Sequence, residues 1–536
     1  MRTERRLTAV EVLRAFSPWY GRGLSLGLAP QAIVITGLWP SRSLDLGPWT
    51  LDFGLWTLDF GLWTLDFPHN LRSARAKMRD AGVAVPGRVG RVPAMNSPRL
   101  PDRGVAASSP VSSARPGTRC PRHSAAKAAG DPRGRVRWSE VVQEPFRLLF
   151  PIAILSGLIG VLLWPLALMG WIEGYPGVWH LRIMVEGFFG GFMFGFLGTS
   201  LPKLLEVRPW VCGETCLVAA FQILSTAAHA TGNTGPGDLA FVGAFLVMVA
   251  SVGRRMGQRK DLPPPGFLLV ALGWVAAFAG IAADHLANRL DSEVSPSLTL
   301  LSRLWLGHGF VLLGILGAGG FLLPRFLGLG IRERFESSPD PSPAWRRSAA
   351  IGALAGILVL ATYPIEIAGF PRTMASLRAG LVALYCVRVM PLERLRWSSL
   401  GVQPYLLVGL ASIPAGIALA GYQSGYRVSW SHLELVAGFG LITLGVGTRV
   451  IFGHSGRRSR LEKIHGRLVA AALLMLIGMA SRMSGDFLPR LQKSHYLYGA
   501  LTWAAGLLLW AWVVLPSVLQ PDTEAESAPP RSRPPA

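Results

Sequence analysis

Residues 148–169 read LLFPIAILSGLIGVLLWPLALM, twenty-two residues without a charged side chain. A helix rises about 1.5 Å per residue and needs about twenty apolar residues to cross the hydrocarbon core of a bilayer. This stretch therefore has the length and composition of a membrane-spanning helix. Working outward, comparable segments recur near 183–201, 211–230, 238–253, 266–284, 304–323, 349–369, 375–390, 403–421, 433–452, 467–483 and 496–516. The reading is an all-α, polytopic integral membrane protein of about twelve transmembrane helices. The membrane domain is expected at 144–518, with a disordered tail at 519–536 and an extension of low complexity at 1–140. Composition agrees: half the residues are hydrophobic and 16% are charged, where a soluble chain carries about a quarter charged. The formal net charge of +22 would point to nucleic acid in a soluble protein. Here the basic residues gather in loops, so the expected partner is the lipid bilayer and not nucleic acid.

The extension reads differently. Residues 47–67 are GPWTLDF, GLWTLDF, GLWTLDF, a unit of seven repeated almost unchanged. Structural repeats usually run 20–50 residues, and glycine and aspartate in every copy break a coiled-coil heptad. The rest, to about Arg137, is rich in Arg, Pro, Ser, Gly and Ala and is expected to be disordered. No apolar run followed by a small-residue cleavage site marks a signal peptide. Met78 and Met95 are candidate initiators if the frame has been extended upstream. Of the four cysteines, Cys212 and Cys216 stand one helical turn apart. They read as small packing residues, with a metal or redox role as the alternative.

Loop charge sets the orientation. Basic residues fill the connections at 254–260, 325–347, 388–396 and 457–467, whereas 230–238 and 421–431 carry almost none. By the positive-inside rule the basic loops face the cytoplasm and both termini are cytoplasmic. That orientation sorts the histidines. His180, His432 and His495 fall at the outer ends of helices 2, 10 and 12, His308 about one turn into helix 6, and His229 and His285 at the outer ends of helices 3 and 5. His454 and His465 are cytoplasmic. Any one histidine could be an interfacial residue. Six at one face form a candidate ligand set, because neutral imidazole binds haem iron axially and also binds copper. In helix 2, Gly187, Gly191 and Gly195 leave a strip free of side chains, fit for a close-packed neighbouring helix or a flat porphyrin. Helix 10 repeats the feature with Gly438, Gly440, Gly445 and Gly447. It ends on Arg449, which needs a carboxylate, a carbonyl or a haem propionate unless it reaches the interface.

Three stretches resemble the NnrS family: Glu144-Pro-Phe-Arg147-Leu-Leu-Phe150, Trp179-His180-Leu-Arg182-Ile-Met184-Val-Glu-Gly187-Phe188, and His432…Gly438…Arg449…Gly453-His454-Ser-Gly456-Arg457. The resemblance spans 144–518. It implies a twelve-helix bacterial inner-membrane protein that holds haem and copper and is linked to nitric oxide metabolism and nitrosative stress. Carried over, His180, His432, Arg449 and His454 match the family; with His308 and His495 from the outer-face set they are the candidate cofactor-binding residues, His180 and His432 being the candidate metal ligands. The chain departs from the pattern at Arg182 and Ile183, where the family has histidine and an acid, and this bears on copper first. Nitric oxide is the expected small ligand; neither a reaction nor a redox partner can be read. A cytochrome-oxidase-like subunit is the less favoured reading, since no adjacent His-His pair or His-x-x-x-Tyr motif is present. A secondary transporter is another, but such sites lie near the midplane, where only Glu186 and Glu366 stand out.

Overall fold

A computed structural model describes residues 138–290, 293–329, 338–395, 401–457, 460–461 and 466–521. The heptad repeat, the expected disorder of 1–137, the tail from 522, Met78, Met95 and His465 lie outside the described residues. Among these there are helices and no strands. A short helix, Trp138–Gln143, leads into twelve long ones. They are α1 Phe146–Leu168, α2 Gly177–Leu204, α3 Cys212–Ala230, α4 Thr234–Met256, α5 Phe267–Ala287 and α6 Ser295–Phe326. The others are α7 Pro343–Ile367, α8 Pro371–Val389, α9 Gln403–Tyr422, α10 Ser424–Gly453, α11 Gly466–Phe487 and α12 Gln492–Val514.

Ten of these regions are long and apolar enough to cross a membrane. The remaining two, α3 and α8, are 19 residues each. They are more polar: α3 carries Glu214, Gln222 and His229, and α8 carries Arg372, Arg378 and Arg388. Their buried charged groups have protein partners, although the Gln222 amide makes no hydrogen bond. Arg378 donates to Glu366 Oε2 at 2.6 Å and to Thr362 at 2.9 Å, and its guanidinium lies 4.0 Å from the Tyr363 ring centre. A polar helix is admitted to a bilayer when its polar side faces other helices.

Helices α2, α6 and α10 form the middle of the bundle and touch one another, with α1 and α12 beside α2 and α9 beside α10. Each of the three is longer than its apolar stretch, beginning six to nine residues before the segment expected at 183, 304 or 433. Each also passes through a π-helical stretch: Ile183–Phe189, Trp305–Phe310 and Leu433–Gly440. A π-helical turn inserts an extra residue and re-aims side chains, and it is often found at functional sites.

The glycine strip has a structural partner. A Cβ on Gly191 would come within 2.8 Å of Ala153 Cβ, and one on Gly195 within 2.9 Å of the Phe150 ring. The strip of α2 therefore accommodates α1, not a porphyrin. On α10, Gly438 and Gly445 do the same for Ile413 and Leu406 of α9, while Gly440 meets nothing nearer than its own Leu435 carbonyl at 3.4 Å.

Candidate functional site

The first turns of α2 and α10 and the middle of α6 meet around a cavity of about 690 Å³. His180, His308 and His432 all line it. Two of these imidazoles are held alike: His180 Nδ1 lies 2.9 Å from the Gly160 carbonyl and His432 Nδ1 lies 2.7 Å from the Val428 carbonyl. A carbonyl oxygen can only accept, so Nδ1 carries the proton in each ring and Nε2 keeps its lone pair. This second contact, fixing tautomer and orientation, is the support that metal-ligating histidines receive. Arg482 lines the same cavity as both rings.

His308 differs. Its Nδ1 is 2.8 Å from Glu434 Oε2, and Glu434 is 3% exposed. A carboxylate behind an imidazole orients it and raises its basicity. The rest of the wall combines flat rings (Trp164, Trp179, Tyr496, Trp503) with guanidinium groups from Arg182, Arg303, Arg427 and Arg482. Arg427 pairs with Glu366, and Arg482 with Asp486 at 3.1 Å, lying 3.9 Å from the Tyr496 ring centre. Arg303 and Arg427 escaped sequence reasoning because each precedes the apolar segment expected to open its helix, and Arg482 because it closes the segment expected at 467–483. The pairing of Arg427 with Glu366 and of Arg182 with Asp238 and Asp284 crosses between helices and is visible only in three dimensions, whereas Arg482 pairs within α11.

Of the other expected site residues, His495 does not line the cavity. It contacts Ser481 Oγ through Nδ1 at 3.2 Å, and its neighbour Tyr496 is the lining residue. His454 and Arg449 belong to the opposite end of the bundle. His454 is 22 residues beyond His432 on α10, about 33 Å along a helix axis, so it cannot share a ligand set with His432. His454 Nδ1 instead donates to Glu144 at 2.8 Å, Lys203 reaches the same carboxylate at 2.9 Å, and Arg147 donates to the His454 carbonyl at 2.9 Å. Arg147 also holds the carbonyls of Val518 and Gln520. The Glu-Pro-Phe-Arg and Gly-His-Ser-Gly-Arg motifs are thus two halves of one clamp tying α1, α2, α10 and the end of α12. Arg449 stacks over Phe326 at 4.9 Å, toward the end of α10 opposite the cavity. Cys212 and Cys216 are free thiols with sulfurs 3.8 Å apart.

His229 and His285 join a separate cluster. His229 Nε2 is 2.9 Å from Glu186 and 3.7 Å from Asp238, and His285 Nε2 is 3.2 Å from Asp238. Arg182 stands among them, 2.8 Å from Asp284, 3.3 Å from Asp238 and 3.7 Å from Glu186. Glu186 is therefore not the isolated midplane acid that the sequence suggests.

No curated protein matches the chain. The family model of the NnrS protein matches residues 140–521, which takes in the cavity, the clamp and all twelve helices. With the resemblance of its helix 2 and helix 10 motifs now placed on one bundle, the chain belongs to the NnrS family.

Proposed function

We propose that this NnrS-family chain is a haem-binding protein of the bacterial inner membrane that acts in nitric oxide metabolism or the response to nitrosative stress. The observation that carries the reading is the paired state of His180 and His432: two imidazoles from two central helices line one cavity, each with its proton committed to a backbone carbonyl and Nε2 left to coordinate. The residues present fit a haem. His180 and His432 would ligate the iron, the aromatic wall suits a flat apolar ring, and Arg303, Arg427 and Arg482 offer donors for acidic substituents. When bound, haem supplies a redox-active iron able to take a diatomic ligand. The chain's own residues orient the imidazoles, and α1, α11 and α12 close the sides of the cavity.

Copper fits less well. Arg182 occupies the position of a family histidine, and a guanidinium has no lone pair for a metal. Beyond His180 and His432 the cavity offers one further imidazole, His308. A small apolar cavity of about 80 Å³, lined by residues such as Met193, Val311 and Val446, shares Phe189 with the large one. Its size and surface suit a diatomic gas held against the bundle interior.

The proposed orientation puts the His180 end outside and the His454 end in the cytoplasm. It is supported by Arg254, Arg255, Arg259, Lys260, Arg325, Arg346, Arg347, Arg388 and Arg457, all in or beside connections at the His454 end. The functional test uses the full chain purified in detergent, with haem counted per chain and the reduced spectrum recorded before and after nitric oxide. Stoichiometric haem whose bands shift with the gas is expected. Absence of haem, or bands indifferent to nitric oxide, overturns the proposal.

A further inference from the structure

The cluster formed by Glu186, His229 and Asp238 lies behind the wall of the histidine cavity, and the proposed haem chemistry makes no use of it. Glu186 comes from the π-helical stretch of α2, His229 from the last turn of α3 and Asp238 from the start of α4. All three side chains are at most 1% exposed. One ligand atom from each lies within 4.8 Å of the other two, as a shared ion requires. The chain makes room for this: a Cβ on Gly237 would approach His229 Cε1 to 2.4 Å, so only glycine lets the ring sit there.

Two independent observations say that the cluster is incomplete. The first is hydrogen bonding. Glu186 Oε1, His229 Nδ1 and both carboxylate oxygens of Asp238 are buried and receive no hydrogen bond, a costly state in a membrane interior. The second is charge. Glu186, Asp238 and Asp284 surround a single guanidinium, Arg182. Two negative charges remain, facing two imidazoles, His229 and His285. A divalent cation on His229 Nε2 would give the carboxylate oxygens of Glu186 and Asp238 a partner and offset the charge.

We propose that Glu186, His229 and Asp238 bind one divalent first-row cation of the zinc class, separate from the site of His180 and His432. One imidazole and two carboxylates make a nitrogen–oxygen set suited to such ions and lack the soft sulfur ligands that select cuprous copper. Arg182 and Asp284 form the partition, since both also line the large cavity. The way in runs past Asp284 and His285, whose side chains are 18% and 42% exposed.

The experiment takes the full-length chain in detergent, strips it with chelator, adds Zn²⁺ and removes the excess. About one zinc per chain is expected in the wild type and equally in His180→Ala, which separates this site from the haem reading. Asp238→Asn and His229→Gln should each weaken Zn²⁺ binding at least tenfold while eluting as the same monodisperse species. X-ray absorption at the zinc edge on the wild type does not depend on any variant folding. It should show nitrogen and oxygen neighbours at about 2.0–2.2 Å and no sulfur. Uptake well below one zinc, full uptake by Asp238→Asn, or a sulfur shell placing the ion on Cys212 and Cys216 would each overturn the proposal.

Discussion

Replacing Gly191 by alanine separates the two uses a glycine strip can have in this bundle. The new Cβ would sit 2.8 Å from Ala153 Cβ and 3.3 Å from Ala153 Cα, against a preferred carbon–carbon separation of about 3.5–4.0 Å. The neighbour is partly backbone, so α1 and α2 must part by roughly 1 Å. Overpacking of this kind costs about 1–3 kcal/mol, while alanine returns up to about 1 kcal/mol of helix propensity. The clash wins, and a net loss of up to about 2 kcal/mol is expected. Gly440→Ala is the counterpart: its Cβ meets only the Leu435 carbonyl at 3.4 Å and enters the large cavity. It should leave stability unchanged or slightly raised, yet lower haem content. The assay is thermal unfolding of both variants in the same detergent, with absorbance recorded before heating. Gly191→Ala unfolding as the wild type does, or losing haem at unchanged stability, would refute the packing argument and return the strip to a porphyrin.

Three further outcomes follow from the clamps. His454→Ala should lower the unfolding temperature and leave any haem spectrum untouched, since His454 joins Glu144 at the end opposite the cavity; a changed spectrum would contradict that placement. Burial pushes the Glu144 carboxyl up, but the hydrogen bond and charge of His454 with the charges of Lys203 and Arg147 outweigh it and hold it well below its ordinary value of 4.5. A depressed folded-state value contributes stability that is present above about pH 4.5 and lost as pH falls below it. The stability gap between wild type and Glu144→Gln should therefore close on acidification, and a gap that widens toward low pH would reverse the sign. Glu366→Gln leaves the buried Arg378 without its carboxylate and should cost about 3–5 kcal/mol, read as reduced accumulation and earlier unfolding; unchanged stability would refute the pairing.

The helices were legible because an uncharged apolar run of about twenty residues matches the thickness of a bilayer and little else in a folded protein. The site was half legible. His180, His308 and His432 stood out as imidazoles near one end of alternate helices, and orientation alone gathers those. The polar first turns of α2, α6 and α10 escaped an apolar scan because His180, Arg182, Arg303 and Arg427 lower the hydropathy where the chain is nonetheless helical. Those turns build the cavity. Asp238 and Glu434 were invisible for a related reason: a lone acid at a helix end looks like an interfacial residue until its imidazole partner arrives from another helix. His454 and Arg449 were assigned to the site because their motif is distinctive, but the Gly-His-Ser-Gly-Arg stretch is accounted for by its contacts with Glu144, Arg147 and Ser517.

The central claim is that His180 and His432 ligate haem iron, and the direct measurement is the oxidised and reduced optical spectrum of the purified chain beside those of His180→Ala and His432→Ala. The account predicts haem bands in the wild type, abolished or shifted in each variant, with both variants still inserted in the membrane. A wild type lacking stoichiometric haem, or a His180→Ala protein with the native spectrum, would contradict it.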